Sequence, residues 1–139
     1  MTVPSWKQVE LRVARYVGAE RNPGSGASHT STRSDSTHPL LFIETKHGKA
    51  AERLLRSRPR LLRLFADTER KACAEGKVPV VVLHPPRWGN GGVANYPAWV
   101  RAEWRTGSLG TVGWTVVGLP LSEVRRAIGG GAKGGKEGE

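Results

Sequence analysis

Four charged residues near the start of the chain have the types and spacing to do chemistry: Glu10, Asp35, Glu44 and Lys46. Glu44-Thr45-Lys46 follows directly on the apolar run Leu40-Leu41-Phe42-Ile43. Residues two apart on a β-strand emerge on the same face. The strand is therefore expected to present a carboxylate and an ammonium side by side where it runs out into solvent. Asp35 lies nine positions before Glu44, across a Thr37-His38-Pro39 turn able to bring it beside that strand end. Two carboxylates held that close repel unless a cation joins them. Hard oxygen ligands select Mg²⁺, with Mn²⁺ as a substitute, over zinc. A neighbouring lysine can then orient or deprotonate a water, or stabilise charge on a phosphate as it becomes five-coordinate.

The E-x-K element is common by itself. It recurs here as Glu69-Arg70-Lys71 and Glu75-Gly76-Lys77, but those two fall in or at the end of a predicted helix, where residues two apart diverge. Only the first stands on a strand, behind an apolar run and after an aspartate.

The elements that must position these residues can be read in turn. Ser5-Trp6-Lys7-Gln8 fits a capping box. Trp6, Val9, Val13 and Tyr16/Val17 then recur at helical spacing, predicting an amphipathic helix over 6–18 with Glu10 on or beside its apolar stripe. Residues 21–38 are loop-like, rich in Gly, Ser and Thr. Lys49–Ser57 reads as a helix or turn, and Ser57 as the cap of a second helix that runs to about Glu75 and stops at Gly76. Leu61, Leu62, Phe65, Ala72 and Cys73 are its expected buried side. Val78–Leu83, β-branched and continuous, reads as a central strand ended by Pro85-Pro86. Residues 87–110 look irregular, Val112–Val117 reads as a strand and Leu121–Ile128 as a short helix. The last eleven residues, 129–139, are expected to form a disordered Gly/Lys-rich tail. This order of elements implies an α/β fold with a central mixed β-sheet flanked by helices.

At 139 residues one compact domain is expected, and the pI near 10.7 points to a phosphate-rich partner. The surplus of ten positive charges is uneven: residues 45–77 hold ten basic and four acidic side chains. Arginine predominates between Arg53 and Arg63, which favours bidentate contacts to phosphate over simple solubility. No apolar run is long enough to span a membrane, and the N-terminus lacks a signal-peptide core, so a cytoplasmic protein is expected. A single cysteine, Cys73, excludes an intrachain disulfide and a multi-cysteine zinc site.

The ordered series Glu10, Arg21-Asn22-Pro23-Gly24-Ser25-Gly26, Asp35 and Glu44-Thr45-Lys46 resembles the PD-(D/E)XK nuclease superfamily. Within it the order is similar to the archaeal-type Holliday junction resolvases, over residues 5–84. The resemblance implies a restriction-endonuclease-like fold, residues 1–128 forming one nuclease domain. It implies a Mg²⁺-dependent endonuclease of DNA recombination that resolves four-way DNA junctions as a homodimer. Glu10, Asp35, Glu44 and Lys46 would be catalytic: Asp35 and Glu44 bind the metal, Glu10 completes or supports that site, and Lys46 acts on the nucleophilic water. Arg21 and Ser25 match the family's R-x-P-x-S-G loop and imply contact with the scissile strand. Arg12, Arg33, Lys49, Arg53 and Arg56 are the further DNA-binding candidates. The chain departs from the pattern at Leu11, where the family often has arginine directly after the helical glutamate, and at Ser34, where it has proline. The Asp35–Glu44 spacing is short and implies a tight hairpin. Residues 85–128 have no counterpart in the pattern.

Two other readings are compatible with the same residues. One is a different nuclease of the superfamily, restriction-like or a repair enzyme, cutting duplex or flap DNA. The other is a non-catalytic DNA-binding module with structural carboxylates. His29, His38 and His47 recur every nine residues but match no ligand template; His38 and His47 are candidates to line the site. Gly24-Ser25-Gly26 is not followed by the Gly-Lys-Ser/Thr of a phosphate loop. Cys73 is expected as a small core residue, and the tryptophans as buried or interface residues before base-stacking ones.

Overall fold

Apolar residues at helical spacing make the first element, α1 (Trp6–Tyr16), which buries Val9, Val13 and Ala14. The computed structural model describes residues 6–20, 37–86, 92–106 and 116–129; Ser5 and the tail from 130 onward lie outside them. The chain then forms β1 (Leu41–His47), α2 (Gly48–Arg56), α3 (Arg58–Glu75) and β2 (Val78–His84). β1 and β2 pair in parallel, with Glu44 opposite Val81, Lys46 opposite Leu83 and His47 opposite His84. β3 (Pro97–Arg101) pairs antiparallel with β2, and β4 (Val116–Pro120) antiparallel with β3. The result is an α/β fold with a four-stranded mixed sheet in the order β1-β2-β3-β4, flanked by helices. β2 lies inside the sheet as expected, and Val80, Val81, Val82 and Leu83 are completely buried.

Strand alternation divides the core in two. Leu41, Ile43, Val80 and Val82 face α1 and α5 (Leu121–Ala127), packing with Val9, Val13, Leu121 and Val124. Val81 and Leu83 face the other way and pack with Ala51 of α2 and with Leu61 and Phe65 of α3. Local signals set both ends of α3. Ser57 Oγ accepts the Arg60 backbone N–H, and Gly76 adopts φ 68°, a left-handed conformation that costs glycine nothing. The Lys77 amide then reaches back to the Ala72 carbonyl at 2.9 Å, closing the helix end.

Three expectations are corrected. The 87–110 segment is not wholly irregular: it contains a 3₁₀ turn (Val93–Asn95), β3 and the short helix α4 (Ala102–Thr106). β3 alternates in burial, Ala98 and Val100 inward, but a proline and an arginine at its ends leave too little apolar alternation to stand out. The last strand, expected to end at Val117, continues through Pro120 (β4, Val116–Pro120), because pairing with β3 overrides the poor strand propensity of Gly118 and Pro120; residues 112–115 lie outside the described residues. Cys73 is exposed, not core. A helix turns about 100° per residue, so Cys73, one step after buried Ala72, rotates off the stripe formed by Leu61, Phe65 and Ala72. Of the tryptophans, Trp99 and Trp104 pack partly buried against the core, while Trp6 is exposed; Trp88 and Trp114 lie outside the described residues.

Candidate functional site

Alternation along β1 turns Glu44 and Lys46 away from Leu41 and Ile43, onto the face shared with their register partners Val81 and Leu83. There they meet. Lys46 Nζ is 3.3 Å from Glu44 Oε2, and the side chains keep 38% and 21% of their exposure. The pair is thus solvent-accessible. α2 begins immediately after β1, at Gly48, whose φ of 69° makes the sharp strand-to-helix turn. On α2, Lys49, Arg53 and Arg56 are spaced 4 and 3 residues apart, so they share one exposed stripe opposite buried Ala51. Arg56 pairs with Glu52 at 3.1 Å. Lys49 and Arg53, with Arg58, Arg60 and Arg63 at the start of α3, form no ion pair among the described residues.

Glu10 takes a different place. It is buried, at 6% exposure, on α1, and α1 packs against the face bearing Leu41 and Ile43. The structure therefore joins Glu44 to Lys46 directly and brings Glu10 in from the other face of β1. Asp35, Arg21, Ser25 and Arg33 lie outside the described residues. Among the described residues no three His, Cys, Asp or Glu side chains converge as a metal-holding group. Glu44 supplies one hard carboxylate donor of the kind Mg²⁺ prefers. Arg12 points from α1 toward the turn before β3, where its Nη1 donates to the Tyr96 hydroxyl at 3.5 Å.

The two candidate histidines part company. His38 Nδ1 accepts the Leu40 and Leu41 backbone N–H groups at 3.0 and 3.1 Å, tying down the start of β1. Burial, then the nearby Lys77 charge, hold its pKa below the ordinary value. His47 stands at the opposite end of β1 and meets His84, Nδ1 to Nδ1, at 3.1 Å. The His84 ring lies against Tyr96, with centroids 4.7 Å apart. Burial, the facing His47 and the Arg12 charge push the His84 pKa down. His84 and Tyr96 are absent from the sequence-derived candidates. The one available signal is that a histidine ends each of the two apolar strands flanking α2 and α3, which parallel pairing places side by side.

No protein-family model, curated protein or solved structure matches this sequence.

Proposed function

We propose that the chain is a Mg²⁺-dependent, structure-selective DNA endonuclease of the PD-(D/E)XK type that resolves four-way junctions. The observation that carries the reading is the Glu44–Lys46 pair, 3.3 Å apart and solvent-accessible at the end of a strand whose following helix bears an exposed basic stripe, on which Lys49 and Arg53 form no ion pair among the described residues. A carboxylate acceptor beside an ammonium, flanked by arginines, matches the demands of phosphodiester hydrolysis. Glu44, with Asp35, would hold Mg²⁺, whose chemistry there is to neutralise charge developing on the attacked phosphate. Lys46, ion-paired with Glu44, would be placed to orient the attacking water. Lys49 and Arg53 bind backbone phosphates beside it, so recognition rests on the shape of the DNA and not on base edges. A site of this size serves one strand, and symmetric cutting of two strands calls for two copies of the chain.

The discriminating experiment compares a synthetic four-way junction with linear duplex and flap DNA of the same sequence. Preferential cutting of the junction is expected. Equal cutting of duplex points instead to a restriction-like or repair nuclease of the same type. A non-catalytic DNA-binding module is the second reading, favoured by the mutual neutralisation of Glu44 and Lys46. Binding without cleavage of any substrate in Mg²⁺ or Mn²⁺ is its signature.

A further inference from the structure

The end of the β1–β2 pair carries a second polar cluster, on the face opposite Glu44 and Lys46. His47 and His84 are register partners with Nδ1 atoms 3.1 Å apart. Tyr96 backs the His84 ring, and its hydroxyl accepts from Arg12. His84 and Tyr96 are buried, whereas His47 is half-buried and Arg12 exposed, so the cluster meets solvent through these last two.

The charged groups acting on His84 are His47 from β1 and Arg12 from α1, and both are basic. Three cation-forming side chains and a phenol thus share one place, with no carboxylate among the groups that bear on His84. Two neutral imidazoles joined Nδ1–H to Nδ1 leave one Nε2 protonated and the other bare. One proton added at the bare Nε2 preserves the shared bond and makes both Nε2 atoms donors. An anion stabilises that state, because it brings a counter-charge to the basic groups around His84 and can accept from one outward Nε2–H, from Arg12 and from the Tyr96 O–H, while the second imidazole shares the added proton through the Nδ1–Nδ1 bond. A divalent cation is disfavoured by the Arg12 charge.

We propose that Arg12, His47, His84 and Tyr96 form a binding site for a phosphate-type oxyanion, separate from the Glu44–Lys46 pair and independent of whether the chain cleaves DNA. The ligand is a phosphate group, whether of a nucleic-acid backbone, a strand end or a free phosphate.

The test is titration of inorganic phosphate into the full chain near neutral pH at fixed ionic strength, without metal or DNA, following the imidazole ¹⁵N and ¹H resonances. Saturable shifts of both His47 and His84 are expected, with a raised midpoint for protonation of the pair. Arg12→Gln should weaken phosphate about tenfold, the scale of one charge-assisted hydrogen bond. His84→Gln should remove the His47 response; His47→Gln, at a half-buried position, makes the reciprocal test should the His84 variant not fold. Competition then identifies the source. Displacement by duplex lacking terminal phosphates assigns the site to the DNA backbone, displacement by a 5′-phosphorylated strand alone to a strand end, and displacement by neither to a free phosphate ligand. A non-saturating response, an equal response to chloride, or unchanged affinity in Arg12→Gln overturns the proposal. A failed cleavage assay leaves this test standing.

Discussion

Glu44 Oε2 and Lys46 Nζ lie 3.3 Å apart on one face of β1, a pairing that follows from the two-residue repeat of the strand and leaves both side chains in reach of solvent. Exposed ion pairs of this kind contribute little to folding. Glu44→Gln and Lys46→Met should therefore shift stability by no more than about 1 kcal/mol, read from urea unfolding. On the proposed reading both abolish Mg²⁺-dependent cleavage. A large stability loss together with intact cleavage would assign the pair a structural role.

The ends of α3 are set by single residues. Ser57→Ala removes the acceptor for the Arg60 N–H and should cost about 1 kcal/mol. Gly76→Ala forces a Cβ into a φ of 68° and should cost about 1 kcal/mol or more. The sites stand an 18-residue helix apart, so the two losses should add in the double variant. Urea midpoints of the four proteins check this.

Gly118 on β4 lies under the Trp99 indole of β3. A Cβ there would meet the ring's Cε2 at 3.0 Å, closer than van der Waals contact allows. Gly118→Ala should destabilise by about 1–3 kcal/mol through overpacking. Trp99→Leu, which removes the obstructing ring, should make the Gly118→Ala change cost less. A double-mutant cycle in denaturant measures that coupling.

His38 and His84 set an acid limit on stability. Both have pKa values held below the ordinary 6.5 by burial first, with Lys77 adding to the effect at His38 and His47 and Arg12 at His84. The unfolded chain then binds more protons than the folded one between the lowered values and about 6.5. These groups carry no such cost above pH 6.5. It grows as pH falls from 6.5 towards the lowered folded-state values and levels off below them. Unfolding free energy should decline below that pH, and His38→Gln and His84→Gln should each flatten the decline, as measured by urea unfolding across a pH series.

What the sequence made legible was local. Ser57 and Gly76 act within one helical turn, so their roles could be read from their own neighbours, and the Glu44–Lys46 contact needs only the strand repeat. The misplaced elements depend on partners distant in sequence. β3 and β4 hold each other in place despite Pro97, Gly118 and Pro120. Cys73 looked apolar enough for the core, but the stripe is set by where α3 meets the sheet, and Cys73 rotates off it. The His47–His84 contact exists because two strands separated by two helices align in parallel with these residues in register. Nothing at His84 itself announces it. Glu10 was readable as a residue on the edge of an apolar stripe, but not its approach from the opposite face of β1.

The central claim is tested most directly by incubating the chain with a synthetic four-way junction in Mg²⁺ and in EDTA, and mapping the cut positions on all strands. The account predicts paired nicks placed symmetrically across the junction, absent in EDTA and in Glu44→Gln and Asp35→Asn. Absence of cleavage in Mg²⁺ and Mn²⁺, or cleavage undiminished in Asp35→Asn, would contradict it.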